Sequence, residues 1–286
     1  MKTITTKKRI LNAPLTRILL GLLVCFISFI LAQQITGKIL DFTSLDKNFR
    51  NLIKGIIASA TVIFAYIYFF TRFEKRTITE FSNKGITKYI LTGVIIGVLL
   101  QCLTILIIII NGSFEIVSVN PISDMIIPLT VAFSVAIFEE ILIRGIIFRI
   151  VEEKLGSYIS LFLTAIIFGA LHLANPNSTG FSGLCVGIEA GFLMGAAYIY
   201  ARNLWFPIAI HFAWNFMQSG IFGAVTSGNE KTSSLLTTKI TGSKLFTGGA
   251  FGPEGTIQAV IFCSLASIAL LILSGNKIIS PSWRKK

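Results

Sequence analysis

The sequence predicts an all-α, polytopic membrane protein of about eight transmembrane helices, with a candidate catalytic helix bundle in its second half. Three observations predict this. Of 286 residues, 53% are hydrophobic and only 13% charged, a composition outside that of soluble domains. The apolar residues gather in runs near 20 residues, the length a helix needs to cross the hydrocarbon layer. The few ionisable and amide side chains inside these runs recur on successive spans of the second half, where burial is costly unless they are paired or used. The formal net charge of +12 does not indicate a nucleic-acid partner. The basic residues sit at span ends, where they set orientation instead.

Taken in order, residues 1–124 form an N-terminal membrane segment of three spans. A basic leader with Lys2, Lys7, Lys8 and Arg9 precedes an expected span over 15–32. A cleaved signal peptide is the competing reading of that pair. A polar loop over 33–54, a span over 52–70, a basic loop over 71–88 and a span over 89–110 follow. The loop 111–124 contains no Lys or Arg. Residues 125–222 hold the spans 125–151, 157–174, 181–201 and 204–222, separated by short turns at Glu152-Glu153-Lys154, Asn175-Pro176-Asn177 and Arg202-Asn203. Residues 223–286 comprise a Gly/Ser/Thr-rich loop with Gly248–Gly255, a last span over 256–274 and a basic tail ending Arg284-Lys285-Lys286. An even span count puts both termini on one side. The basic bias makes that side the cytoplasmic face of the cell membrane. Cys25, Cys102, Cys185 and Cys263 all lie in apolar spans without metal-ligand spacing, and are read as reduced core residues.

The chemistry concentrates in Phe138-Glu139-Glu140-Ile141-Leu142-Ile143-Arg144. Glu140 and Arg144 are four apart and share a helix face, so they can pair. Glu139 is rotated about 100° away and is left for work. Both histidines of the chain fall in later spans. His172 follows Phe168 by four residues, and His211 precedes Asn215 by four, which stacks each pair on one face. This inventory suits hydrolysis. A carboxylate and an imidazole can take a proton from water, while a second imidazole and an amide can donate to an oxyanion. Glu189 is a further buried carboxylate, without a partner three or four residues away, and could line the cavity or a water channel. Gly191 and Gly195 have the small-xxx-small spacing of close helix packing.

These residues resemble the CPBP family of intramembrane proteases, the CAAX-processing and bacteriocin-processing (Abi) group. Its three signatures stand here as Glu139-Glu140-…-Arg144, Phe168-…-His172 and His211-…-Asn215, in order and on successive spans. The resemblance covers roughly residues 125–222. It implies an endopeptidase acting on a membrane-associated protein or peptide within the lipid bilayer. It also implies roles: Glu139 and His172 activate water, His211 and Asn215 form the oxyanion hole, and Glu140, Arg144 and Phe168 support them. A CAAX protease-related, metalloendopeptidase-like activity makes Glu139, His172 and His211 the candidate zinc ligands. A metal-free glutamate mechanism is the alternative, and no His-Glu-x-x-His helix is present. The prenylated substrate of eukaryotic relatives is not carried over.

Competing readings use the same residues. A non-proteolytic membrane scaffold or bacteriocin immunity factor would tolerate Glu139→Gln. A proton or ion transporter would use the buried Glu and His but would show repeated, broken helices. A serine protease would use Ser182 of Gly180-Phe181-Ser182-Gly183 and would leave Glu139 and Arg144 without a role.

Overall fold

The computed structural model describes residues 11–284. The basic leader with Lys2, Lys7, Lys8 and Arg9, and the final Lys285-Lys286, lie outside them. Among the described residues eight long helices build the molecule, and six segments are long and apolar enough to cross a membrane, against the expected eight or so. The first three are α1 (Pro14–Leu40), α2 (Lys47–Phe73) and α3 (Ile86–Ile110). Each is longer than the apolar run that predicts it, because the helices continue into the flanking polar residues. The expected loop over 33–54 therefore shrinks to 41–46. Asp46 starts α2 by accepting a hydrogen bond from the Asn48 amide, one of the orphan donors of a helix start.

The longest apolar segment, Ile122–His172, is 51 residues and folds as two helices, α4 (126–155) and α5 (157–172). Gly156, at φ 78° and ψ 171°, reverses the chain. A Cβ there would sit 2.7 Å from the Ile279 carbonyl oxygen, so both its conformation and its neighbour require glycine. The reversal brings Arg144 and Phe168, each twelve residues from Gly156, into contact: the guanidinium lies 5.0 Å from the ring centre. The expected polar turn at Glu152-Glu153-Lys154 is helical. Glu152 is 3% exposed and paired with Arg202 at 2.6 Å, since a buried carboxylate needs a partner more than a turn needs polarity.

The remaining helices are α6 (Gly180–Ala201), α7 (205–221) and α8 (Ile257–Ser274). Glycines set the spacing around the site. A Cβ on Gly191 would lie 2.6 Å from Ala165 Cα, and one on Gly195 would lie 2.4 Å from Leu161 Cδ1, so α5 and α6 touch along the small-residue stripe. Gly93 and Gly97 do the same for α3 against α7, with the Ile210 carbonyl 2.5 Å from a Cβ at Gly97. The four cysteines are free thiols.

The two ends of the bundle differ. At the end carrying the 74–85 loop, Arg17 contacts Glu74 at 2.8 Å and Glu153 at 2.6 Å, Arg149 contacts Glu74 at 3.0 Å, and Arg76 contacts Glu80 at 2.5 Å. Burial alone would raise both carboxyls. The hydrogen bonds from Arg17 and Arg149 to Glu74, and from Arg76 to Glu80, outweigh it and hold both below the usual range. At the opposite end, the expected loops 111–124 and 223–255 contain strands β1 (Phe114–Val119) and β2 (Leu236–Ile240). These pair antiparallel with an irregularity between Ile116 and Ser118. Alternating Ile, Val and Thr at these positions favours extended chain. The pairing fastens the long loop over the mouth of the bundle.

Candidate active site

α4 carries the first motif, and its backbone widens there: Ile141–Phe148 is π-helical. Two more π-helical turns occupy Gly187–Phe192 of α6 and Met217–Ile221 of α7. Such insertions re-aim side chains and release carbonyls, and they concentrate at functional sites. Here the released groups are used. The Gly145 carbonyl accepts from Arg149 Nε at 3.0 Å and from the Tyr66 hydroxyl at 2.9 Å, while Ala190 and Gly191 on α6 present their carbonyls to Arg144 Nη2 at 2.6 and 3.1 Å.

Arg144 and Glu140 are both fully buried and pair at 3.0 Å, as their spacing predicts. The guanidinium thus has a carboxylate, two carbonyls and the Phe168 ring face, which together compensate its desolvation. The same Glu140 oxygen lies 3.0 Å from His211 Nδ1. A carboxylate only accepts, so Nδ1 carries the hydrogen and His211 is fixed in one orientation. Its Nε2 then points toward Glu139, 3.9 Å from Oε2. Glu139, with 29% of its side chain exposed, is the one carboxylate of the pair that opens to a cavity.

His172 is oriented independently. Its Nδ1 lies 2.9 Å from the Phe168 carbonyl oxygen, which also only accepts, so Nε2 keeps its lone pair. Phe168 therefore holds two residues at once, Arg144 by its ring and His172 by its backbone. A cavity of about 440 Å³ is lined by Glu139, His172, His211 and Asn215, with apolar walls from Val131, Val135, Phe138, Leu142 and Leu171. All four candidate catalytic residues face one space. Within 4 Å, Glu139 has the imidazole of His211 rather than that of His172 as its neighbour. The candidate metal ligands Glu139, His172 and His211 do not converge: among the described residues no three His, Cys, Asp or Glu side chains are placed to hold a metal ion.

The site also contains residues that the motifs do not include. Ser227 and Glu254, both from the long loop, line a smaller chamber with Phe168, His172, Glu189, His211 and Asn215. Ser227 holds a left-handed backbone, φ 51°, fixed by Asn175 Nδ2 donating to its carbonyl at 3.0 Å and by its own amide donating to Glu254 Oε1. A lone acid in the Gly-rich run just ahead of a span was the available signal for Glu254. Ser182 lies in neither space. It closes a capping box with Thr179 at the start of α6, so that the Gly-x-Ser-Gly match is a helix start.

Residues 121–217, which contain all three motifs, match the family model of type II CAAX prenyl endopeptidase Rce1-like proteins. No curated protein and no solved structure matches the chain. Motifs in order and a shared polar cavity agree with that match, and over these residues the chain is similar to the CAAX-type intramembrane endopeptidases.

Proposed function

We propose that the protein is an endopeptidase that hydrolyses a peptide bond of a membrane-associated protein or peptide lying in the 440 Å³ cavity. Glu139, assisted by the His172 Nε2 lone pair, takes a proton from water. The hydroxide attacks the scissile carbonyl carbon, whose oxygen becomes the oxyanion. Asn215 Nδ2 and, in its cationic form, His211 Nε2–H donate to that oxygen. When the C–N bond breaks, the proton held by Glu139 passes to the leaving amine, and the acid is restored as a carboxylate. Glu140 and Arg144 orient His211 without touching substrate. The single observation that carries this reading is the division of labour between neighbours. Glu140 is fully buried in an ion pair, whereas Glu139 opens beside two oriented imidazoles into the cavity.

The basic residues Arg17, Arg76, Arg149, Arg202 and Lys277 gather at the end of the bundle where α1 begins and α8 ends, which supports cytoplasmic termini in the cell membrane. The test compares membrane peptidomes of cells expressing wild type and Glu139→Gln at matched levels. Peptide ends formed only by the wild type support the reading and identify the substrate. Identical peptidomes, with a phenotype that persists in the variant, replace it with a scaffold or immunity role.

A further inference from the structure

His172, His211, Asn215, Phe168 and Ser227 line both the large cavity and the smaller chamber. The two imidazoles and Asn215 therefore border both spaces, whereas Glu139 borders the large cavity alone. The chamber measures about 30 Å³. A water needs about 10–15 Å³ of such space and two to four polar partners. The partners are present. Glu189 is 4% exposed and its Oε1 has no hydrogen-bond partner. Glu254, 5% exposed, is held by the Ser227 amide. An orphan carboxylate oxygen in a low-dielectric site is expensive, and two facing carboxyls would repel if both were ionised. Among the described residues no three His, Cys, Asp or Glu side chains are placed to hold a metal ion there.

Resting on the protease reading, we propose that this chamber is a water-binding site that supplies the hydrolytic water from beside the imidazoles, with Glu189 and Glu254 as the positioning residues that anchor it. Substrate filling the large cavity shields Glu139 and the imidazoles from bulk water on that side. A water held behind His172 and Asn215 remains available to replace the one consumed in each turnover. Burial keeps the Glu254 carboxyl above the usual carboxylate range, so it can donate to a water as well as accept. The anchoring needs hydrogen-bonding atoms, not charge.

Two measurements on the full-length protein in detergent or liposomes test this. Hydroxyl-radical footprinting by X-ray pulses reports waters bound next to oxidisable side chains. Cys263 lines the chamber and is 1% exposed; Cys25, outside it, is 0% exposed. The expected result is faster oxidation of Cys263 than of Cys25, lost in Glu189→Leu. Equal protection of the two thiols overturns the proposal, whether or not a substrate is known. The second measurement is turnover. Glu189→Leu should lower kcat about tenfold or more with KM held, and Glu189→Gln should restore most of it. A Leu variant with normal kcat, or a Gln variant as damaged as Leu, overturns the water-anchoring role. Glu189→Ala, which also removes the hydrogen-bonding atoms, serves the same comparison if Glu189→Leu does not fold. If wild type forms no peptide ends beyond those of cells lacking the protein, the protease reading fails on its own, and the footprint still decides whether the chamber holds water.

Discussion

Two clusters of buried charge face different tasks in this molecule. At the end with the 74–85 loop, Arg17, Arg76 and Arg149 surround Glu74, Glu80 and Glu153 with several short contacts each. Every carboxylate there has an arginine. In the bundle interior, one arginine, Arg144, serves one carboxylate, Glu140, and the neighbouring Glu139 meets only an imidazole at 3.9 Å. The first cluster is saturated and holds helices together. The second is left short by one cation, which leaves a carboxylate without an arginine and open to the cavity. The number of charges does not separate structure from chemistry here; the completeness of their pairing does.

The comparison breaks first at Glu139. Glu139→Gln is isosteric and removes only the base, so cleavage should fall by about 10²–10⁴-fold while the detergent melting temperature stays at the wild-type value. Substantial residual cleavage would move the base to another residue. Arg144→Ala comes next. It leaves Glu140 buried without its cation and should cost about 3–5 kcal/mol of stability, read as early thermal aggregation together with lost activity. Arg144→Lys should not restore it, because an ammonium cannot span Glu140, Ala190 and Gly191 as the planar fork does. Arg17→Ala, at the saturated and partly exposed cluster, should change stability far less, by about 1 kcal/mol or under.

Gly97→Ala sharpens the contrast from the packing side. Its Cβ would meet the Ile210 carbonyl at 2.5 Å and Ala213 Cβ at 2.8 Å, so α7 must shift with His211 upon it. A cost of about 1–3 kcal/mol is expected from overpacking, with kcat reduced up to about 10²-fold by misplacement of the imidazole. Stability lost with normal kcat would show that the α3–α7 contact does not position the site. The smallest effect is on pH. Glu74 and Glu80 have folded-state pKa values below their unfolded ones. Their stabilisation is fully present above the unfolded value and is lost as pH falls through the folded one. Melting temperature should therefore hold from pH 7 to about 5 and decline below about 4. Replacing both by Gln should flatten that decline.

Much of the site was legible because local rules generate it. The four-residue spacing of Glu140 and Arg144 gives the observed pair, and His211 and Asn215 share the face that lines the cavity. Glu189 was visible as an unpartnered acid, although nothing in α6 alone shows what it faces. Glu254 and Ser227 were not legible as site residues, because the chain returns them through a loop pinned by Asn175, by a strand pair and by one left-handed residue. The orientation of His172 by the Phe168 carbonyl follows from their spacing, but the pairing of His211 with Glu140 spans 71 residues and has no local signature.

By itself the sequence determined the membrane class, the positions of the spans and the residue types available for hydrolysis, since hydrophobic length and i, i+4 geometry act within one helix. Only the tertiary structure decided that Glu140 also fixes His211, where the long apolar segment reverses, and that a second polar chamber borders the imidazoles. Those outcomes depend on contacts between helices far apart in the chain, where the desolvation of a charge is settled by whatever the fold brings against it.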